Sequence, residues 1–198
     1  MRKEELVASL KKSGFATEIV NAFANISRED FVPEAYQAYA YVDGPLPIGE
    51  GATISQPRTI ACMLEWLEIN DKQRILEIGS GSGYVLALMN EIANNLTIFG
   101  VEINESLVKQ SRDLFNNDNI TIQHGNGFYG LPEQAPFDRI LVSAAFQNKP
   151  EHLFEQLTDN GILICPVKTS IFKFIKQGDK ITEQVFPGFA FVTMQEEK

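Results

Sequence analysis

Residues 76–84 read LEIGSGSGY, and their types and spacing could do chemistry. Glycine has no Cβ, so Gly79, Gly81 and Gly83, with Ser80 among them, let a ligand approach the backbone closely. A dinucleotide fingerprint needs its third glycine at position 84, where this chain has Tyr84. No lysine follows to grip a phosphate. The turn therefore suits a nucleoside without a pyrophosphate better than it suits NAD. Glu77 stands just before it. Glu102 closes the next strand-like run, LTIFGVEI, where a carboxylate offers two acceptors to vicinal ribose hydroxyls. A third run ends in HGNGFYG, where Asn126 can present an oxygen and an amide to a base edge. A ribose, a base and no phosphate describe S-adenosylmethionine. Its sulfonium meets no electrostatic objection from a chain of net charge −9. Each residue also has a purely structural reading: Glu77 as a helix-dipole partner, Glu102 as an exposed strand-end acid, Asn126 as a turn asparagine.

Residues so far apart in sequence meet only if strands carry them to one edge. In open α/β sheets that edge is formed by the carboxyl ends of the strands. From residue 74 onward the pattern supplies them: RILEIG, LTIFGVEI, NITIQHG, FDRILVSAA and GILICPV are short apolar runs. YVLALMNEIANN, ESLVKQSRDLFNN and PEHLFEQL have helical spacing between them. The alternation predicts a Rossmann-like, doubly wound, mainly parallel sheet with flanking helices. An N-terminal helical extension precedes it. Residues 3–13 form one helix, with Leu6, Val7 and Leu10 on a face and Gly14 as its stop; Thr17 caps a second, and PRTIACMLEWLEI is a third. SIFKFIKQGDKITEQVF, with its central Gly-Asp, predicts a C-terminal antiparallel hairpin.

Composition narrows the class. A chain of 198 residues, 44% hydrophobic, suits one domain with a sizeable core. The acidic balance argues against a nucleic-acid face, and no apolar run reaches the length of a membrane span. MRKEELVASLKKSG is amphipathic and lacks the features of a secretory signal. Cys62 and Cys165 sit among apolar residues as core thiols, which places the chain in the reducing cytoplasm. His124 reads as a strand-end polar residue and His152 as part of an exposed helix face.

Asp43 to Pro57, DGPLPIGEGATISQP, shows no helical or strand period and little charge, so it reads as a rigid loop shaped to hold something. Together with REDFVPE, ILEIGSGSGY, HGNGFYG, APFDRILVSAA and LFEQLTDNGILICPV, it resembles the protein-L-isoaspartate (D-aspartate) O-methyltransferases, class I S-adenosylmethionine-dependent enzymes, over residues 28 to 185. The resemblance implies one methyltransferase domain over 1–198: helices and a covering loop in 1–70, the cofactor-binding core in 71–167 and a hairpin in 168–198. It implies methyl transfer from S-adenosyl-L-methionine to the free α-carboxylate of L-isoaspartyl residues in damaged proteins and peptides, leaving S-adenosyl-L-homocysteine. It implies no metal, and a monomer that needs neither nucleic acid nor membrane. Ser55 is the implied catalytic residue, with Thr53 and Ile54 beside it. The implied cofactor site takes Thr53, Ile54, Glu77, Gly79, Ser80, Gly81, Gly83, Glu102, Ile103, Asn126 and Gly127. The chain departs from the family pattern at Asn126, where aspartate is usual, at Pro166-Val167-Lys168, where Pro-Val-Gly is usual, and in its FAFVTM tail.

These departures leave two other readings open. One is an S-adenosylmethionine methyltransferase acting on a different carboxylate or peptide group. The other is a cofactor-binding protein with little or no turnover.

Overall fold

The computed structural model describes residues 1–116 and 118–196. Helices α1 (Lys3–Lys12) and α2 (Thr17–Asn25) come first, then 3-10 turns at Arg28–Phe31 and Glu34–Tyr39. Strands β1 (Leu46–Gly49) and β2 (Ala52–Ile54) precede α3 (Pro57–Leu67). The core follows as β3 (Arg74–Ile78), α4 (Tyr84–Ile92), β4 (Thr97–Glu102), α5 (Glu105–Asp113), β5 (Ile120–His124) and β6 (Phe137–Val142). It ends in β7 (Leu157–Val167), β8 (Ser170–Gln177) and β9 (Lys180–Pro187).

The main sheet has the order β5-β4-β3-β6-β7-β8-β9. Pairings from β5 to β7 are parallel, and those of β7, β8 and β9 are antiparallel. The expected mainly parallel sheet with a terminal hairpin is therefore present, turning at Gly178 and Asp179. Successive strand residues alternate between two buried clusters: Ile75, Ile98 and Ile164 belong to one, Leu76, Phe99 and Leu163 to the other. The period of two that separates them is the pleat itself. Trp66 of α3 stacks on Phe186 of β9, with ring centroids 3.7 Å apart, and pins the hairpin to the sheet.

Five local expectations are corrected. Asp43 to Pro57 is no irregular loop: β1 and β2 pair antiparallel, Leu46 opposite Ile54. Glu50 and Gly51 at the tip have φ of 53° and 74°, which suits a tight hairpin turn; proline and glycine on its strands mask the alternation. Thr17 does not cap α2. Ala16 holds the cap position, without a side-chain bond, and Thr17 is the first helical residue. The helix expected over PEHLFEQL is only the 3-10 turn Glu151–Gln156. His152 lies within that turn, half-buried and stacked on Phe128 rather than exposed, with Nε2 2.7 Å from the Phe128 carbonyl. Of the two unpaired thiols, Cys165 is buried but Cys62 only half-buried.

Candidate active site

The ends of β3, β4 and β6 and the loop after β5 open onto one cavity. The turn after β3 builds its floor. Gly79, Gly81 and Gly83 have φ of 80°, 52° and 84°, a region that side-chain-bearing residues rarely adopt. Gly79 and Ser80 donate their N–H groups to the Val101 carbonyl, at 2.8 and 3.1 Å. Glu102, nearly buried, spans the turn: Oε2 accepts from Gly81 N–H and Oε1 from Asn104 N–H, each at 2.9 Å. Each oxygen keeps a further lone pair for a ligand hydroxyl.

Glu77 is 1% exposed. Its Oε1 accepts from Ser143 Oγ at 2.8 Å and Oε2 has no partner among the described residues. Burial pushes its pKa up to about 8; the Ser143 bond opposes this and the Glu102 charge adds to it. Ser80 Oγ is also buried without a partner among the described residues. Buried polar groups are nearly always bonded, so two orphans facing one cavity suit a polar or cationic ligand there.

Asn126 caps the short turn Gly127–Tyr129. Its Oδ1 accepts from Phe128 N–H at 2.9 Å, and its Nδ2 donates to the Glu196 carbonyl at 3.3 Å. A Cβ on Gly127 would lie 2.6 Å from Ile78 Cγ2, so only glycine brings this loop against β3.

The β1–β2 hairpin roofs the cavity. Asp43 Oδ1 accepts from Arg58 N–H at 2.9 Å and fastens the start of the stretch to the first turn of α3. Ile48, buried, reaches over the glycine turn: its Cδ1 lies 3.1 Å from where a Cβ on Gly81 would stand. Thr53, Ile54 and Ser55 line the cavity from this side. The Ser55 carbonyl accepts from Arg28 Nη2 at 2.8 Å.

The structure thus brings Thr53, Ile54, Ser55, Glu77, Gly79, Ser80, Gly81, Glu102, Ile103, Asn126 and Gly127 to one cavity. Gly83 stands apart. A Cβ there would meet the Phe115 ring at 2.8 Å, so this glycine serves the packing of α4 and does not line the cavity.

The family model of protein-L-isoaspartate(D-aspartate) O-methyltransferase matches residues 1–198. The chain belongs to this family. The Fervidobacterium nodosum protein-L-isoaspartate O-methyltransferase is 41% identical over 198 residues, which cover 96% of this chain and all of that one. A solved protein-L-isoaspartate O-methyltransferase superposes with a TM-score of 0.89 at 30% identity, over 97% of this chain and 65% of that chain. A Plasmodium falciparum structure, described as a family member in complex with S-adenosyl-L-homocysteine, superposes with a TM-score of 0.85 at 26% identity over the whole of both chains.

The sequence reading missed two walls of this cavity and one residue behind it. Ser143, which bonds Glu77, comes from the end of β6. Val192 to Gln195 arrive from the tail, strapped to the β6 end by Ala145 N–H to the Val192 carbonyl and Met194 N–H to the Ala145 carbonyl, each at 2.8 Å. Arg28 lies behind Ser55. The REDFVPE match pointed to the Arg28 neighbourhood; nothing local in FAFVTM marks it as a cavity wall.

Proposed function

We propose that this cavity binds S-adenosyl-L-methionine and that the chain transfers its methyl group to the free α-carboxylate of L-isoaspartyl residues in proteins and peptides. The observation that carries the reading is the placement of the glycine turn, Glu102, the Asn126 loop and the Ser55 hairpin around one cavity, in a chain that belongs to the isoaspartate methyltransferase family over its full length.

When bound, the cofactor supplies an electrophilic methyl group on sulfur. The chain's residues bind, orient and exclude water. Glu102 accepts from the ribose hydroxyls through the lone pairs that Gly81 and Asn104 leave open. The Asn126–Gly127 turn takes the base. The orphaned Oε2 of Glu77 and Oγ of Ser80 receive the amino-acid end, whose ammonium favours the ionised form of Glu77. On the acceptor side, an α-carboxylate is already ionised at neutral pH, with an ordinary pKa of about 3.5. It needs no general base. Accordingly no histidine lines the described cavity, and His124 is occupied with the Ile103 carbonyl at 3.0 Å. Ser55 orients the carboxylate by one hydrogen bond. Alignment of this kind can contribute up to about 7–11 kcal/mol. The ester then cyclises to a succinimide unaided, which starts repair.

On this reading the whole chain is one methyltransferase domain, with residues 1–70 as the cover of the site. Two unpaired thiols support a reducing compartment, the cytoplasm, and no described helix is long and apolar enough to cross a membrane. Mass spectrometry tests the reading. An isoaspartyl peptide incubated with enzyme and S-adenosylmethionine should gain one methyl group, then lose methanol to give the succinimide. A peptide that stays unmodified while the cofactor is bound would leave a binding protein without this activity.

A further inference from the structure

Arg28 is the largest fully buried side chain among the described residues, and it is charged. It opens the 3-10 turn after α2, where an apolar residue would close the core at far lower desolvation cost. Only Nη2 has a hydrogen-bond partner, the Ser55 carbonyl at 2.8 Å. Nε and Nη1 have none among the described residues. The guanidinium carbon lies 5.0 Å from the centroid of the Tyr84 ring. Tyr84 and Ser55 both line the cavity, so the cation stands directly behind two of its walls.

No described carboxylate forms an ion pair with Arg28. Asp43, whose charge reaches it, is bonded to Arg58 N–H. Burial pulls the guanidinium's pKa down to about 10 and the neighbouring Tyr84 opposes that, so the group stays charged at neutral pH. A buried cation without a counter-ion costs several kcal/mol. One bond to a neutral carbonyl and the neighbouring Tyr84 side chain offset only part of this. Meanwhile Glu77 and Glu102 wall the same cavity, and an anionic acceptor must enter against Glu102 and any ionised Glu77.

We propose that Arg28 is a positioning residue that makes the site select a carboxylate: it holds Ser55 by the carbonyl and supplies, from behind the wall, a protein positive charge that none of the described lining residues carries. This rests on the reading of Ser55 as the acceptor-side residue. Two unit charges about 10 Å apart, at an effective dielectric constant of about 20, change an affinity by roughly tenfold, so the charge need not touch the substrate.

The test compares two peptides identical except that one carries the isoaspartyl α-carboxylate and the other its α-carboxamide. Binding is measured on enzyme saturated with S-adenosylhomocysteine, which also stabilises weakened variants by mass action. Arg28→Gln removes the charge yet can still donate to the Ser55 carbonyl; Arg28→Lys keeps the charge. Wild type and Arg28→Lys will prefer the carboxylate, and Arg28→Gln will lose about tenfold of that preference while its affinity for the amide changes little. An unchanged carboxylate-to-amide ratio in Arg28→Gln, with only a lower melting temperature, makes Arg28 structural and overturns the proposal. So does an equal loss of preference in both variants, since charge would then not be the cause. Should Arg28→Gln not fold, Arg28→Met removes the charge in its place and is read by the same ratio: a loss of about tenfold supports the proposal, and an unchanged ratio overturns it. A wild type that shows no preference for the carboxylate would instead sink the acceptor assignment itself.

Discussion

Replacing Glu77 with glutamine will flatten the pH dependence of the ligand-free protein's stability. The carboxyl group is 1% exposed, and burial pushes its pKa from 4.5 up to about 8. Below about pH 4.5 it is protonated in folded and unfolded chains alike and contributes no pH dependence. Between 4.5 and 8 the folded state holds a proton that the unfolded chain has released, so stability falls as pH rises. Above 8 both states are ionised and the loss is complete. Each pH unit in the window costs at most about 1.4 kcal/mol, so the whole of it costs up to about 5 kcal/mol, a large part of a domain's usual 5–15 kcal/mol. Glutamine keeps an acceptor for the Ser143 hydroxyl but cannot titrate. Urea unfolding of both proteins at pH 5 and pH 8.5 measures the effect: the wild type loses several kcal/mol relative to the variant between the two. A cation held at Oε2 favours the charged form, so cofactor binding releases a proton and tightens as pH rises through the same window. If the difference between wild type and variant stays constant from pH 5 to 8.5, Glu77 is ionised near its ordinary value and the account of the cavity floor is wrong.

Three further changes probe the remaining walls. Glu102→Ala will weaken S-adenosylmethionine binding by roughly 1.5–3 kcal/mol, the scale of a hydrogen bond to a charged group; equal calorimetric affinity in variant and parent removes the ribose assignment. Ser55→Ala will retain cofactor binding and slow methylation of an isoaspartyl peptide by about 10–1000-fold, whereas a trapped covalent adduct on Ser55 in mass spectrometry would make it a nucleophile. Asn126→Asp will tighten cofactor binding: one oxygen still caps Phe128 N–H, and the other, no longer an amide donating to the Glu196 carbonyl, becomes a charged acceptor for the adenine amine. Unchanged or weaker binding shows that position 126 does not read the base.

The parts of the site carried by one short segment were legible. The glycine turn announces itself because positive φ at Gly79, Gly81 and Gly83 admits little else. Glu102 was placed by the end of an apolar run, and the parallel core by alternation of runs with helical spacing. What remained hidden depends on partners distant in sequence. The β1–β2 hairpin carries Pro47 and Gly49 where an alternating pattern would show, so its strands are set by packing over Gly81. The partner of buried Glu77 is Ser143, far along the chain, and those of buried Arg28 are Tyr84 and the Ser55 carbonyl. The turn at residues 151–156 has helical apolar spacing, yet it is too short to form an α-helix before β7 begins at Leu157. His152 was misplaced for the same reason.

Transfer of a radiolabelled methyl group from S-adenosylmethionine to a peptide tests the central claim most directly, with three matched peptides that carry isoaspartate, aspartate or isoasparagine at one position. The account predicts a base-labile methyl ester on the isoaspartyl peptide and background label on the other two. Equal labelling of the aspartyl peptide, or no label on any peptide by an enzyme that binds the cofactor, would contradict it.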